Sequence, residues 1–126
     1  MVPQDLRYTK EHEWVRVEGG VAVVGITDYA AHELGDVVFV ELPEVGRTIA
    51  QSAAIGVIES VKAVSDLFAP LTGDVVETNS ELSGTPELIN SDPFGKGWML
   101  RIKIADLSEV DGLLDAAAYD ALTAEA

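Results

Sequence analysis

Apolar residues in this chain come in short, β-branched runs, and a turn signal cuts each one off before a long helix could form. Val15 and Val17 alternate with Arg16 and Glu18, the period of a strand with one wet face. Gly19-Gly20 separates them from Val21–Val24, and glycine supplies the positive φ that a two-residue hairpin turn requires. Asp36 to Leu42, with VVFVEL in its body, is too continuously apolar for an exposed edge and predicts a buried strand. Further strands are predicted at Thr48-Ile49, Ala53 to Ser60, Val64 to Phe68 and Asp74 to Thr78. A closing strand runs from Trp98 to Ile104, with Trp98, Leu100, Ile102 and Ile104 facing one way. Turns recurring at intervals of about 8–12 residues indicate a mainly β sandwich or barrel. Gly-Asp-Val-Val opens a strand at 35–38 and again at 73–76, as a duplicated layer would produce.

Helices are confined to the edges. Thr27 is placed as an N-cap, with Asp28 at the positive end of a short helix and Gly35 closing it. Asn79 to Gly97 is turn-rich, with one helical turn at Pro86–Ile89 that Thr85 would cap. In the tail, about 107–124, Ser108 and Asp115 are the predicted caps of two short helices separated by Gly112. Ala118, Tyr119 and Leu122 form an apolar stripe on the second, suited to packing onto the domain.

A length of 126 residues sets the expectation of one domain spanning 1–126. A net charge of −14 opposes binding to nucleic acid or to an anionic membrane. No apolar run approaches the roughly 20 residues of a membrane span. The first residues lack the features of a secretory signal or a transit peptide, so a prokaryotic cytoplasm is the expected location. With no cysteine and two histidines, disulfides and thiolate metal sites are excluded and a zinc site is poorly supplied. Thiol chemistry here has to come from an attached group. The charge favours a monomer, and partners that present basic surfaces.

Lys62 stands apart from this acidic background. It is the one basic residue between Arg47 and Lys96, a span with seven carboxylates. The apolar runs Ile55–Ile58 and Val64–Phe68 on either side predict a hairpin over about 55–70 with the lysine at its tip. A lysine in a turn is ordinarily a solvated side chain. What marks this one for a functional role is its isolation, with a strand on each side and no other cation nearby.

The segment ESVKAVSDLFAPLTGDVVETN, residues 59–79, resembles the lipoylation segment of the glycine cleavage system H protein family. HEWV at 12–15, GITDYA at 25–30, GDVVFVELPEVG at 35–46, PELIN at 86–90, SDPFGKGWM at 91–99 and LLDAAAYDAL in the tail follow in the family's order. The resemblance implies a barrel-sandwich hybrid of the lipoyl- and biotinyl-carrier type, with two antiparallel sheets, short flanking helices and a C-terminal helical segment. It implies lipoic acid in amide linkage on Lys62, on a carrier that is not itself an enzyme. That carrier shuttles the aminomethyl group of glycine between partners. The implied partners are a pyridoxal-phosphate glycine decarboxylase, a tetrahydrofolate-dependent aminomethyltransferase, dihydrolipoamide dehydrogenase and a lipoylating enzyme.

The resemblance also places Glu13 and Asp66 near the loaded amine. Many family members carry a histidine before the Leu-Gly that matches Leu34-Gly35. Here Glu33 stands there with His32 preceding it, and both are candidates to line the arm's cavity. Glu59, three residues before the lysine, is the candidate for recognition of the tip. Trp14 and Trp98 are read as core. A biotin carrier would place methionines beside the lysine, whereas Val61 and Ala63 flank it here. A Schiff-base enzyme would need a desolvated lysine, which an exposed tip does not supply. An unmodified adaptor is left open by the residues themselves.

Overall fold

A computed structural model describes residues 2–124. The strands are β1 (Arg7–Tyr8), β2 (Glu13–Glu18), β3 (Val21–Ile26), β4 (Val37–Glu41), β5 (Thr48–Ile49), β6 (Ala54–Ser60), β7 (Val64–Phe68), β8 (Gly73–Thr78) and β9 (Leu100–Ile104). The helices are α1 (Asp28–Leu34), α2 (Glu81–Gly84), α3 (Leu88–Ser91), α4 (Ser108–Asp111) and α5 (Ala116–Ala124). A six-stranded antiparallel sheet runs β1-β2-β3-β9-β8-β5, and a three-stranded one runs β4-β6-β7. The expected mainly β architecture of two antiparallel sheets is present.

The main core lies between the sheets. Val15, Val24, Ile26, Leu100 and Ile102 of the large sheet pack in one apolar cluster with Val37, Ile55, Ile58 and Leu67 of the small one. The other face of the large sheet is covered as well. There Tyr8, Trp14 and Val23 pack with Ala116 and Tyr119 of α5. Trp14 pairs with Gly25 across the β2–β3 ladder, and a Cβ at Gly25 would lie 2.6 Å from the indole nitrogen. The missing side chain lets the indole lie across the neighbouring strand while its N–H donates to the Pro93 carbonyl at 2.9 Å.

The first hairpin forms with Glu18 paired to Val21, so Gly19-Gly20 is its loop, and Gly19 takes φ 66°. Thr27 caps α1 by accepting from the Ala30 amide, and Gly35 follows the helix at φ 80°. Asp115 accepts from the Ala118 amide at 2.8 Å, capping α5 as expected.

Several local expectations fail for identifiable reasons. β4 is an edge strand, with Val38 and Phe39 about half exposed, at 53% and 50%. Burial on both faces needs strands on both sides, and sheet order is not written in one strand's composition. Thr85 closes α2 and offers only its backbone carbonyl to Leu88, so α3 begins two residues later than its predicted start and lacks a side-chain cap. Ser108 does not cap α4. The Asp106 carboxylate accepts from its amide and its hydroxyl. Trp98 lies outside β9, partly buried, and Met99 beside it is fully buried. On α5 the buried residues are Ala116 and Tyr119, while Ala118 and Leu122 face solvent.

Candidate functional site

The last pair of the β6–β7 ladder is Glu59 with Val64, so Ser60–Ala63 forms the tip. The Ser60 amide donates to the Ala63 carbonyl at 2.8 Å. The Ser60 hydroxyl oxygen accepts from the Lys62 and Ala63 amides at 3.3 and 3.0 Å. A serine can do this because its short side chain folds back onto its own turn. The Val61 amide donates to the Asp36 carbonyl at 3.0 Å, tying the tip to the segment that follows α1.

Lys62 at this tip is exposed and makes no ion pair among the described residues. Its methylenes lie over Gly35, where a Cβ would come within 3.3 Å of the lysine Cε. The stem thus occupies the space a side chain at position 35 would fill, with the amine in solvent. An amide-linked group fits here. The backbone around Lys62 is pinned, its amine is unpaired, and nothing encloses it.

Beside the hairpin is a cleft of about 300 Å³. Ile26, Leu34 and Ile58 give it an apolar lining, and Glu11, Glu13, Glu33 and Asp66 contribute four carboxyl-bearing residues. Glu13, Asp66 and Glu33, far apart in the chain, are therefore brought together. Direct partners in an antiparallel ladder share a face. Asp66 pairs with Val57, which pairs with Glu41, and all three alternate with buried Ile58 and Leu67. Asp66 accordingly stands at the rim. By the same rule Glu59 lies in a row with exposed Phe39 and Val64, on the outer face next to the tip.

Consecutive helical residues point about 100° apart, so His32 and Glu33 cannot face the same way. Glu33 lines the cleft, whereas His32 lines a separate hollow on the other side of α1 with Asp36 and Asn90.

Glu13 is 1% exposed. The Thr9 hydroxyl donates to one of its oxygens at 2.6 Å, and the Phe68 amide approaches the other at 3.5 Å. Burial pushes its carboxyl up from an ordinary 4.5 to about 7, against the pull of these two donors. The floor of the cleft therefore carries an acid that is half ionised near neutral pH, and a cation placed beside it would favour the charged form.

Two contributors were not assigned to the site from the sequence, although His12 opens the HEWV segment. Glu11 lines the cleft, and His12 does so from a left-handed backbone at φ 72°. Only the pairing of β2 with β3 and the packing of α1 bring them there.

Comparison with known proteins settles the family. The family model for the glycine cleavage H-protein matches residues 6–126. The chain belongs to the glycine cleavage H-protein family. A glycine cleavage system H protein of Symbiobacterium thermophilum is 60% identical over 124 residues, 98% of this chain and 97% of that one. One from Brevibacillus brevis is 56% identical over 123 residues, 98% of each chain. The crystal structure of a glycine cleavage system H protein from Mycobacterium marinum superposes with a TM-score of 0.90 at 40% identity. It covers 98% of this chain and 99% of that one. Members of the glycine cleavage H-protein family are lipoyl carriers of the glycine cleavage system. They are not catalysts, and lipoate is covalently attached to them. The biotin-carrier and Schiff-base alternatives fall with this assignment. Among the described residues no helix is long and apolar enough to cross a membrane.

Proposed function

We propose that residues 1–126 form a single lipoyl-carrier domain with Lys62 as the attachment site, and that the cleft bounded by Glu13, Glu33 and Asp66 shelters the loaded arm between partners. The observation that carries this reading is the pinned tip: an unpaired lysine amine on a hairpin whose strands, through Ile58, Ser65 and Asp66, border a cleft with carboxyl groups at its floor and rim. When attached, the group supplies a dithiolane that opens and closes by thiol–disulfide exchange, chemistry this cysteine-free chain lacks.

The chain's own residues divide the remaining work. Ser60 and the Asp36 carbonyl hold the tip in one conformation, so partners meet Lys62 in a fixed setting. Ile26, Leu34 and Ile58 exclude water. Glu13, ionising as a cationic amine arrives, gives a buried charge-assisted hydrogen bond, worth roughly 1.5–3 kcal/mol. A pairing on open surface would give about 0–1 kcal/mol, so the floor position is the one that retains cargo. Asp66 at the rim and Glu33 on α1 add to the negative field. Glu59, in its row beside the tip, serves recognition by the lipoylating enzyme. His32 lies outside this cleft.

The chain interacts with other components of the glycine cleavage system. The partners in this reading are the pyridoxal-phosphate decarboxylase, the tetrahydrofolate-dependent aminomethyltransferase, dihydrolipoamide dehydrogenase and the lipoylating enzyme. The chain acts as a monomer in a prokaryotic cytoplasm, in keeping with its charge of −14 and its bacterial relatives.

The test is cargo retention. Loaded carrier freed of enzyme decays by consuming one water and releasing formaldehyde and ammonia, leaving a free thiol. Glu13→Ala and Asp66→Ala should release formaldehyde faster than wild type, by about tenfold for Glu13. Wild-type decay in both would remove these residues from the site.

A further inference from the structure

The cleft has two walls from separate parts of the chain. Glu11, His12 and Glu13 form one at the entry to β2, and α1 with Tyr29, Ala30 and Glu33 forms the other. A backbone bond joins them at the base, from the Thr27 amide to the His12 carbonyl at 3.0 Å. His12 holds φ 72°, a region that non-glycine residues keep only where their surroundings over-determine it.

The second tie comes from far along the chain. Tyr119 on α5 is fully buried, and its ring stacks on Tyr8 with centroids 4.8 Å apart. Its hydroxyl oxygen is 2.7 Å from His12 Nδ1 and 2.7 Å from Thr27 Oγ1. Thr27 Oγ1 also accepts from the Ala30 amide at 3.2 Å. One direction uses every hydrogen in turn. Ala30 N–H donates to Thr27, the Thr27 hydroxyl donates to Tyr119, and the Tyr119 hydroxyl donates to Nδ1 of a neutral His12. Burial favours that neutral form by lowering the His12 pKa. Each link of such a chain polarises the next.

A phenylalanine would satisfy the stacking, so the hydroxyl has a separate task. We infer that Tyr119 is a positioning residue for the cleft: its hydroxyl fixes the His12 wall against the α1 wall, and α5 thereby sets the space into which the loaded arm fits. This rests on the reading that the cleft shelters the arm.

Tyr119→Phe tests it, with Tyr8→Phe as the control. Tyr8 also carries a buried hydroxyl, donated to the Pro3 carbonyl at 2.7 Å, but it bridges neither wall. In unmodified protein, histidine ring 15N spectra should show His12 of the wild type protonated at Nε2 and accepting at Nδ1. The signals should shift and broaden in Tyr119→Phe and stay in place in Tyr8→Phe. In loaded protein, Tyr119→Phe should release formaldehyde about three- to tenfold faster, and Tyr8→Phe within twofold of wild type, although both lower the thermal midpoint. Thr27→Val leaves the Tyr119–His12 bond in place but cuts the link to α1, and must reproduce the faster decay. Wild-type ring signals in the folded Tyr119→Phe variant, or wild-type decay in the folded Tyr119 or Thr27 variant, overturns the inference. If Glu13→Ala and Asp66→Ala also decay like wild type, the cleft reading falls with it. If they decay faster and Tyr119→Phe does not, the inference alone falls.

Discussion

Replacing Glu13 by Gln removes the charge from the cleft floor while keeping its shape, and the structure fixes how the effect must vary with pH. The folded protein holds this carboxyl at about 7 against an ordinary 4.5. At about 1.4 kcal/mol per tenfold, that difference amounts to about 3 kcal/mol. A raised carboxyl means the folded state binds the proton more tightly than the unfolded one. Its contribution is therefore fully present below about pH 4.5 and is lost as pH rises through about 7. Glu13→Gln carries no such dependence. The stability difference between variant and wild type should be near its minimum below pH 4.5, grow in favour of the variant up to pH 7, and level off above. Urea unfolding at half-unit intervals from pH 4 to pH 8.5 measures it, with equal m-values confirming that the two states compared are the same. Comparing the two proteins cancels the self-repulsion of the other carboxylates, which both share. Parallel stability curves over the whole range would refute the reasoning, because an acid without pH linkage is not held in a desolvated floor.

Two further outcomes follow from the tip and the charge. Gly35 adopts φ 80° and ψ −159°, a region open in practice only to glycine, so Gly35→Ala should cost about 1–3 kcal/mol. Its Cβ would meet only the flexible end of Lys62, so adding Lys62→Ala should recover less than about 0.5 kcal/mol in a double-mutant cycle, and a larger recovery would place the strain on the lysine. Association with the glycine decarboxylase should weaken steeply with salt, since screening cuts the reach of a −14 surface to roughly 8 Å at physiological ionic strength. A titration that is flat in salt would mean that apolar contacts dominate.

What could be read from the sequence was local. Gly19-Gly20, the Thr27 cap, the Asp115 cap and the hairpin around Lys62 each depend on residues within a few positions of one another. VVFVEL misled because apolar content reports burial only when sheet order is known, and β4 lies at an edge with Phe39 turned outward. Glu13, Asp66 and Glu33 entered through the family resemblance. Their meeting depends on α1 and β7 closing over β2, which no spacing rule encodes. Tyr119 was read as part of a packing stripe. Its bonds to His12 and Thr27 span 107 and 92 residues, a distance at which a sequence carries no pattern. Glu33 and His32 were separable only once the rotation of α1 about its axis was known.

The most direct test of the whole account is peptide mapping of protein purified from lipoate-competent cells. One lipoyl amide should be found on the peptide containing Lys62, and Lys62→Arg should keep the fold and remain unmodified, because a guanidinium does not form the amide. A lipoyl group on Lys10, Lys96 or Lys103, or a lipoylated Lys62→Arg protein, would contradict it.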